Sequence, residues 1–362
     1  MATEKRLLIK RGVPFLLIGL LIFVVYLFFF VGIENIVMIL QQVDPFYYSL
    51  AILSVLLNVL FYSLAWQSLL NLLSIKAPFK KIFLYVWVGI FVDLLVPAES
   101  VSGEVSRVYL MSKETSENAG KVVASVVSHR VLTMTVTLGS LITGSAFFIL
   151  KYKPTALVVI FITVIAVCTT VSLALLLYLS FKKRTTKRIV DWIIHLLVRI
   201  FRGRWQLTHL KSQAQKMLDA FHQGINVLGK HPKGLIWPVA FSIIAWFFNL
   251  LLTFLVFISL GEYGILVSAI IIVYSISAAI QGIPVGVPGM TGFVQIMMAS
   301  LYTLLLLPQG ISHATTVTAT MLVWIIIFWF KLFVGFVAVQ WVGIKTLMGG
   351  HKLEFTNKVK TS

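Results

Sequence analysis

Apolar runs divided by short polar segments dominate the chain. A hydrocarbon core of about 30 Å needs roughly 20 apolar residues in a helix. Six stretches meet that length: Val13–Ile33, Phe46–Leu73, Val131–Leu150, Pro154–Phe181, Ile236–Leu260 and Thr315–Ile344. The first follows Lys5, Arg6, Lys10 and Arg11, as the apolar core of a secretory signal would. Its core is too long for that role and no small-residue cleavage site follows, so it reads as a retained helix. Two further stretches are interrupted. Ile82–Val96 spans 15 residues, stops at Pro97 and runs into Glu99-Ser100-Val101-Ser102-Gly103-Glu104. Ile265–Ile283 stops at Pro284, passes through a Pro/Gly-rich turn to Gly292, and is followed by a shorter apolar piece, Phe293–Leu307. Both predict an apolar helix, a break and a short returning helix. Breaks of this kind are tolerated at membrane depth only where protein or a watery cavity satisfies the freed backbone groups.

Charge orients these elements. With the N-terminus in the cytoplasm, 27 of the 30 Lys and Arg fall in cytoplasmic segments, leaving Lys151 and Lys153 outside and Lys331 within a span. The positive-inside rule therefore places both termini in the cytoplasm of a multi-pass cell-membrane protein. Counting each broken pair as re-entrant or as two full crossings gives the same sidedness. The division that follows is 1–45, a transmembrane helix and external loop; 46–150, a first repeat with a re-entrant pair near Pro97; 151–181, an additional transmembrane helix; 182–234, a basic amphipathic cytoplasmic insert; 235–344, a second, inverted repeat broken at Pro284–Gly292; and 345–362, a cytoplasmic tail. Each repeat is a span, a broken pair and a span, and the two units face opposite ways. Leu95-Val96-Pro97 in one echoes Gly282-Ile283-Pro284 in the other. Inverted repeats with broken helices meeting near the midplane are a mark of secondary transporters. The expected fold is an all-α polytopic membrane bundle with two broken helix pairs in an inverted repeat.

Composition excludes the main alternatives. Hydrophobic residues make up 59% of the chain and charged residues 12%, too apolar for a nucleic-acid binder despite a net charge of +18. The single cysteine, Cys168, cannot form an intrachain disulfide. In the insert, Ile189, Trp192, Ile193, Leu196, Leu197 and Ile200 recur at helical spacing, with Lys187, Arg188, Asp191, Arg199 and Arg202 largely off that stripe. A basic amphipathic helix of this kind lies in the interface against anionic lipid. A second stripe, Leu207, Leu210, Met217, Leu218, Phe221, Ile225 and Leu228, is suited to packing on the first helix, on the bundle, or on another subunit or partner enzyme. His195, His209 and His222 read as helix-surface residues.

Ionisable residues within spans are costly and mark functional positions. Arg107 and Arg130 fall near the first break, and Lys331 near the middle of the last span. Asp93, four residues before Pro97, must face a cavity or a partner such as Lys331. After Pro97, Glu99, Ser100 and Glu104 are placed to cap the returning helix. After Pro288 come Gly289, Thr291, Gly292 and Gln295 with no acid, an open N-terminus suited to phosphate. Substrate contacts are therefore expected from Arg107, Arg130, Lys331, Gly289, Thr291 and Gly292, and coupling or pairing from Asp93, Glu99, Glu104 and His129. No Asp-x-Asp pair, P-loop or zinc spacing occurs, so no cofactor, metal or catalytic residue is assigned, and Glu99 with Glu104 is a weak acid/base pair.

These positions resemble a flippase-like membrane family that includes the transmembrane region of lysylphosphatidylglycerol synthase. Pro97, Gly103, Glu104, Arg107 and Leu110 resemble its Pro…Gly-Glu-x-x-Arg element. Ser125, Val126, Val127 and Arg130-Val131-Leu132 resemble its SVV-x-x-R segment. Pro288, Gly289 and Gly292 resemble its second-half Pro-Gly-Gly-x-Gly-x-x-Glu element. The chain departs from the family pattern at His129 and Thr133, where acids are usual, at Met290 for a glycine, and at Gln295 for a glutamate. Only 18 residues follow Ile344, so the resemblance implies the lipid-translocating part without the aminoacyl transferase. It implies movement of an anionic lipid between leaflets. The rival readings are a membrane-embedded transferase using Glu99 or Glu104 as base, and a scaffold that binds a partner enzyme through 182–234.

The inverted arrangement predicts opposite accessibility for the two breaks. Single cysteines introduced beside Pro97 and Pro288, in a Cys168→Ser background, should react with impermeant maleimide from opposite sides of the membrane. Labelling of both from one side would refute it.

Overall fold

The computed structural model describes residues 41–96, 101–200, 207–281 and 292–343, without the side chains at 157, 195–200 and 207–211. Val13–Ile33 and the tail lie outside the described residues. Among them are eleven α-helices and no strand. These are α1 (Pro45–Leu72), α2 (Phe79–Leu95), α3 (Ser102–Thr115), α4 (Ala119–Tyr152), α5 (Ala156–Phe181), α6 (Lys183–Ile200), α7 (Leu207–Lys230), α8 (Ile236–Ser259), α9 (Val267–Gln281), α10 (Phe293–Leu306) and α11 (His313–Val342). Five are long and apolar enough to cross a membrane: α1, α4, α5, α8 with its preceding 3₁₀ turn, and α11. The chain is a helical membrane bundle, and α2/α3 and α9/α10 are the two expected broken pairs.

Local chemistry sets the helix ends. Asp44 caps α1 by accepting the Phe46 N–H at 2.8 Å, with Pro45 in the first turn, where its missing donor costs nothing. Asn118 caps α4 through the Gly120 N–H at 2.8 Å, and Ser312 caps α11 through that of Thr315 at 3.0 Å. Helix α3 ends at Ser116 and α4 at Lys153, both with left-handed backbone (φ 54° and 45°).

The antiparallel pair α1 and α8 forms the spine. The Asp44 N–H at the start of α1 donates to the Ser259 carbonyl at the end of α8, at 2.8 Å. Midway, Asn58 Nδ2 donates to the Ala245 carbonyl at 2.7 Å and Phe61 stacks on Phe248 at 5.6 Å. On either side of this spine, α2 packs on α1, α3 and α11, while α9 packs on α8, α10 and α4. Two apolar cores result. One joins the first part of α1 to α8, α9, α10 and α11; the other joins the remainder of α1 to α2, α3, α7 and the start of α4.

The lipid-facing surface is plainest on α5. Ile160, Val164, Val167, Val171 and Leu175 are each more than half exposed and recur at spacings of three and four. A side chain of that kind on a helix face away from its neighbours is the expected contact with hydrocarbon.

The second stripe of the insert packs on the bundle. Leu218, Phe221, Ile225 and Leu228 are buried, and α7 lies on the first turns of α4 and beside α6. Lys183 joins Asp219 across α6 and α7 at 2.8 Å. That pairing holds the Asp219 carboxyl below its usual range. His222 corrects the surface assignment: it is buried, with Nδ1 2.9 Å from the Leu218 carbonyl, because it shares the inward face of α7 with Phe221 and Ile225. On α6, Ile189, Trp192 and Ile193 stay exposed.

Close approach of α7 requires Gly120. A methyl there would collide with the Met217 carbonyl oxygen and lie 2.8 Å from Ala220 Cβ, whereas Gly139 on the same helix has open space. Gly120→Ala should therefore lower the thermal midpoint of the detergent-solubilised protein, the overpacking costing about 1–3 kcal/mol. Gly139→Ala should leave it unchanged or raise it, since alanine is favoured in a helix by about 0.5–1 kcal/mol. Equal midpoints would refute the tight α4–α7 contact.

Candidate functional site

The first broken pair is held by a carboxylate. Helix α3 begins inside the bundle, where its first N–H groups have no helical acceptor. Asp93, in the last turn of α2, supplies one: its Oδ1 accepts the Gly103 N–H at 2.6 Å and the Ser102 hydroxyl at 2.8 Å. Gly103 permits the crossing. A methyl there would collide with Asp93 Oδ2 and the Gly89 carbonyl. The cap is thus Asp93 rather than Glu104, which turns elsewhere; Glu99 and Pro97 lie outside the described residues.

One turn beyond Gly103, Arg107 is 5% exposed. Its guanidinium carbon lies 5.2 Å from the Trp66 ring centre and 5.5 Å from that of Tyr62. Contacts of this kind favour a cation by about 0.5–2 kcal/mol. Trp66 is set in turn by Ser125, whose hydroxyl oxygen accepts the indole N–H at 3.0 Å. One terminal nitrogen of Arg107 is buried with no hydrogen-bond partner among the described residues. Glu104 is paired with Arg130 at 3.3 Å, joining α3 to α4.

Lys331 comes from α11, which packs on α2. Helix α11 widens to a π-helical turn over Ile325–Phe330, directly before it. Such turns shift the register of the following side chains and are frequent at functional sites. No carboxylate among the described residues lies within ion-pair distance of Lys331.

These groups share one cavity of about 490 Å³, lined by Asp93, Glu104, Arg107, Arg130 and Lys331. That volume falls in the range of about 300–1,000 Å³ usual for small-molecule sites. Five of the expected residues are therefore brought together, three cationic and two acidic. His129 is not: it is fully buried one layer behind, its ring 4.1 Å from that of Tyr62. Gly289 and Thr291 lie outside the described residues. Gly292 is described, and one of the donors expected to be open at the start of α10 is already paired. The Gly292 N–H is taken by Gln295 Oε1 at 2.6 Å, because a side-chain amide three residues on reaches back to the helix start.

Sequence reasoning missed the neutral polar wall. Asn249, Tyr274, Thr137, Thr253 and Ser277 line the cavity, and Asn249 donates to the Tyr274 hydroxyl at 3.0 Å. Asn249 had a legible signal, an amide in the middle of an apolar span. Tyr62 and Trp66 had none, since aromatic residues are ordinary in such helices.

Comparison with known proteins identifies the family. The profile of the lysylphosphatidylglycerol synthase TM region family matches residues 16–335. The chain belongs to this family. Among its relatives, a UPF0104 membrane protein of Pyrococcus horikoshii is 25% identical, covering 92% of this chain and 95% of its own. UPF0104 membrane proteins of Methanothermobacter thermautotrophicus and Methanocaldococcus jannaschii are 23% and 25% identical over 84% and 83% of this chain, covering 88% and 87% of their own. No solved structure matches. Of the elements that resemble the family's motifs, Glu104, Arg107 and Arg130 line the cavity, and Gly103 and Ser125 position its walls.

Asp93→Ala leaves the start of α3 without its acceptor. A buried donor left unpaired costs about 1–3 kcal/mol, so the thermal midpoint should fall and exchange of the Gly103 amide should accelerate. Ser102→Ala removes only the neutral hydroxyl contact and should have a smaller effect on both. Equal effects would show that Asp93 is not the cap.

Proposed function

We propose that this protein moves an anionic lipid, a phospholipid or polyprenyl-phosphate carrier, between the leaflets of the cell membrane. The observation that carries this reading is the convergence of Arg107, Arg130 and Lys331 on one cavity within an apolar bundle. Burying cations is costly unless something anionic offsets them, and the two carboxylates leave a formal excess of one positive charge. Arg107 and Lys331 receive the phosphate, while Glu104 holds Arg130 in the empty site and releases it as the head group arrives. The family description names a lysylphosphatidylglycerol synthase, which supports a phospholipid head group.

Both termini face the cytoplasm in this reading, and residues 46–150 and 236–344 form an inverted repeat. Packing supports it: α1 corresponds to α8, α2 to α9, α3 to α10 and α4 to α11. Each contact in one half then has its counterpart, including α2 on α11 against α9 on α4. Both of those contacts need a glycine, Gly335 with Cβ space 2.8 Å from Phe91 and Gly144 with 2.6 Å from Ile271. Two related halves around a central site supply the two opposite openings that transport requires.

Vesicles containing the reconstituted protein and head-group-labelled phosphatidylglycerol test the function. Movement of the label without covalent change is expected. A chemically modified lipid would indicate the transferase instead, and neither result would indicate the scaffold. Arg107→Gln should slow movement about ten- to a hundredfold, as expected for loss of one charge-assisted hydrogen bond. Arg188→Gln, exposed on α6, should have little effect at matched incorporation. Equal, mild effects would remove Arg107 from the site.

A further inference from the structure

A second, smaller cavity of about 180 Å³ lies between α5, α9 and α10, and its eight lining side chains are all apolar. It shares these three helices with the charged cavity. On α5, Val158, Phe161 and Ile162 line the apolar space. Ile165, Cys168 and Thr169 then line the charged one, at the same three-and-four spacing. On α10, Leu301, Leu304 and Leu305 give way to Met298, Gln295 and Val294 in the same manner. On α9, Ile272 and Ile276 precede Ser277 and Ile280. Three helix faces thus run without interruption from one space into the other.

The packing explains why this seam is hollow. Helix α5 leans on α4 and touches α9, while α10 packs on α9 and α11, so α5 and α10 face each other across a gap. The gap has an edge toward the surrounding lipid: Phe161 is 37% and Leu304 is 46% exposed. Cys168, at the junction, is also exposed.

We propose that the apolar groove holds one hydrocarbon chain of the same lipid whose head group occupies the charged cavity, and that the lipid enters sideways between α5 and α10. The inference rests on the anionic-lipid reading and adds to it where the tail goes. From Cys168 on the charged cavity to Val158 on the groove, the two spaces together follow about 15 Å of helix, room for a hydrocarbon chain to lie along them. An apolar chain there covers side chains that otherwise face a void, while its phosphate stays beside Arg107 and Lys331. A head group without a long chain meets only half of this site.

The full-length protein in phosphatidylcholine vesicles, with a trace of phosphatidylglycerol carrying a diazirine near the end of one chain, tests the proposal. Irradiation and peptide mass spectrometry should place adducts on 158–162 and 301–305. They should fall about tenfold in Lys331→Gln and in Arg107→Gln, because tail occupancy follows head-group binding. In parallel, unlabelled phosphatidylglycerol should protect Cys168 of the wild-type protein from maleimide, and protect it less in both variants. Adducts in the groove unaffected by either substitution would mean that surrounding lipid merely touches it, and the proposal fails. Protection of Cys168 without adducts would overturn the tail groove and keep the head-group site. Absence of both would overturn the anionic-lipid reading itself. Two variants are used so that misfolding of one, seen as loss of its monodisperse chromatographic peak, leaves the other to decide.

Discussion

A helix that begins inside an apolar bundle exposes N–H groups that neither water nor lipid can satisfy. In this protein Asp93 meets that constraint by reaching from the end of α2 to the start of α3. The rest of the site follows from that contact. Gly103 must be bare for the two helices to come close enough, and Gly89 faces it across a tight contact. Once the helices do, Glu104 beside Gly103 and Arg107 one turn on reach the cavity. A break in a membrane helix, costly in itself, becomes the device that carries charge to the centre of the bundle.

The charges are then held by unequal means. Arg130 has Glu104, but Arg107 rests on the faces of Trp66 and Tyr62 and keeps one nitrogen without a hydrogen bond among the described residues. Aromatic faces attract a cation without neutralising it. Lys331, beside a π-helical turn, has no acid within ion-pair distance among the described residues. A fully compensated network would be more stable. In the proposed reading, the incomplete compensation of Arg107 and Lys331 is what an incoming anion would use, at a cost in stability.

The two broken pairs solve the same backbone problem with different chemistry. At α3 the acceptor is a carboxyl side chain from the neighbouring helix; at α10 it is the amide of Gln295 on the same helix. One half of the bundle therefore carries an acidic residue at its break and the other an amide. Two of the three cations of the cavity, Arg107 and Arg130, come from the first half, while Lys331 and the polar wall of Asn249, Tyr274 and Ser277 come from the second.

Much of this was determined by the sequence alone, because bilayer thickness turns apolar length directly into helices. The spans within the described residues, the two interruptions and the ionisable residues inside apolar runs were all legible, and Arg107, Arg130, Lys331, Asp93 and Glu104 were found that way. Hydropathy has no access to which side chain meets which across helices. Only the tertiary structure decided that Asp93 caps α3 instead of pairing with Lys331, that His129 packs behind Tyr62, and that Gln295 takes the Gly292 N–H at the start of α10. It also decided that α7 lies on the bundle and buries His222. An amphipathic stripe specifies that a face must be covered, and the shape of its neighbours, down to the bare surface of Gly120, specifies by what.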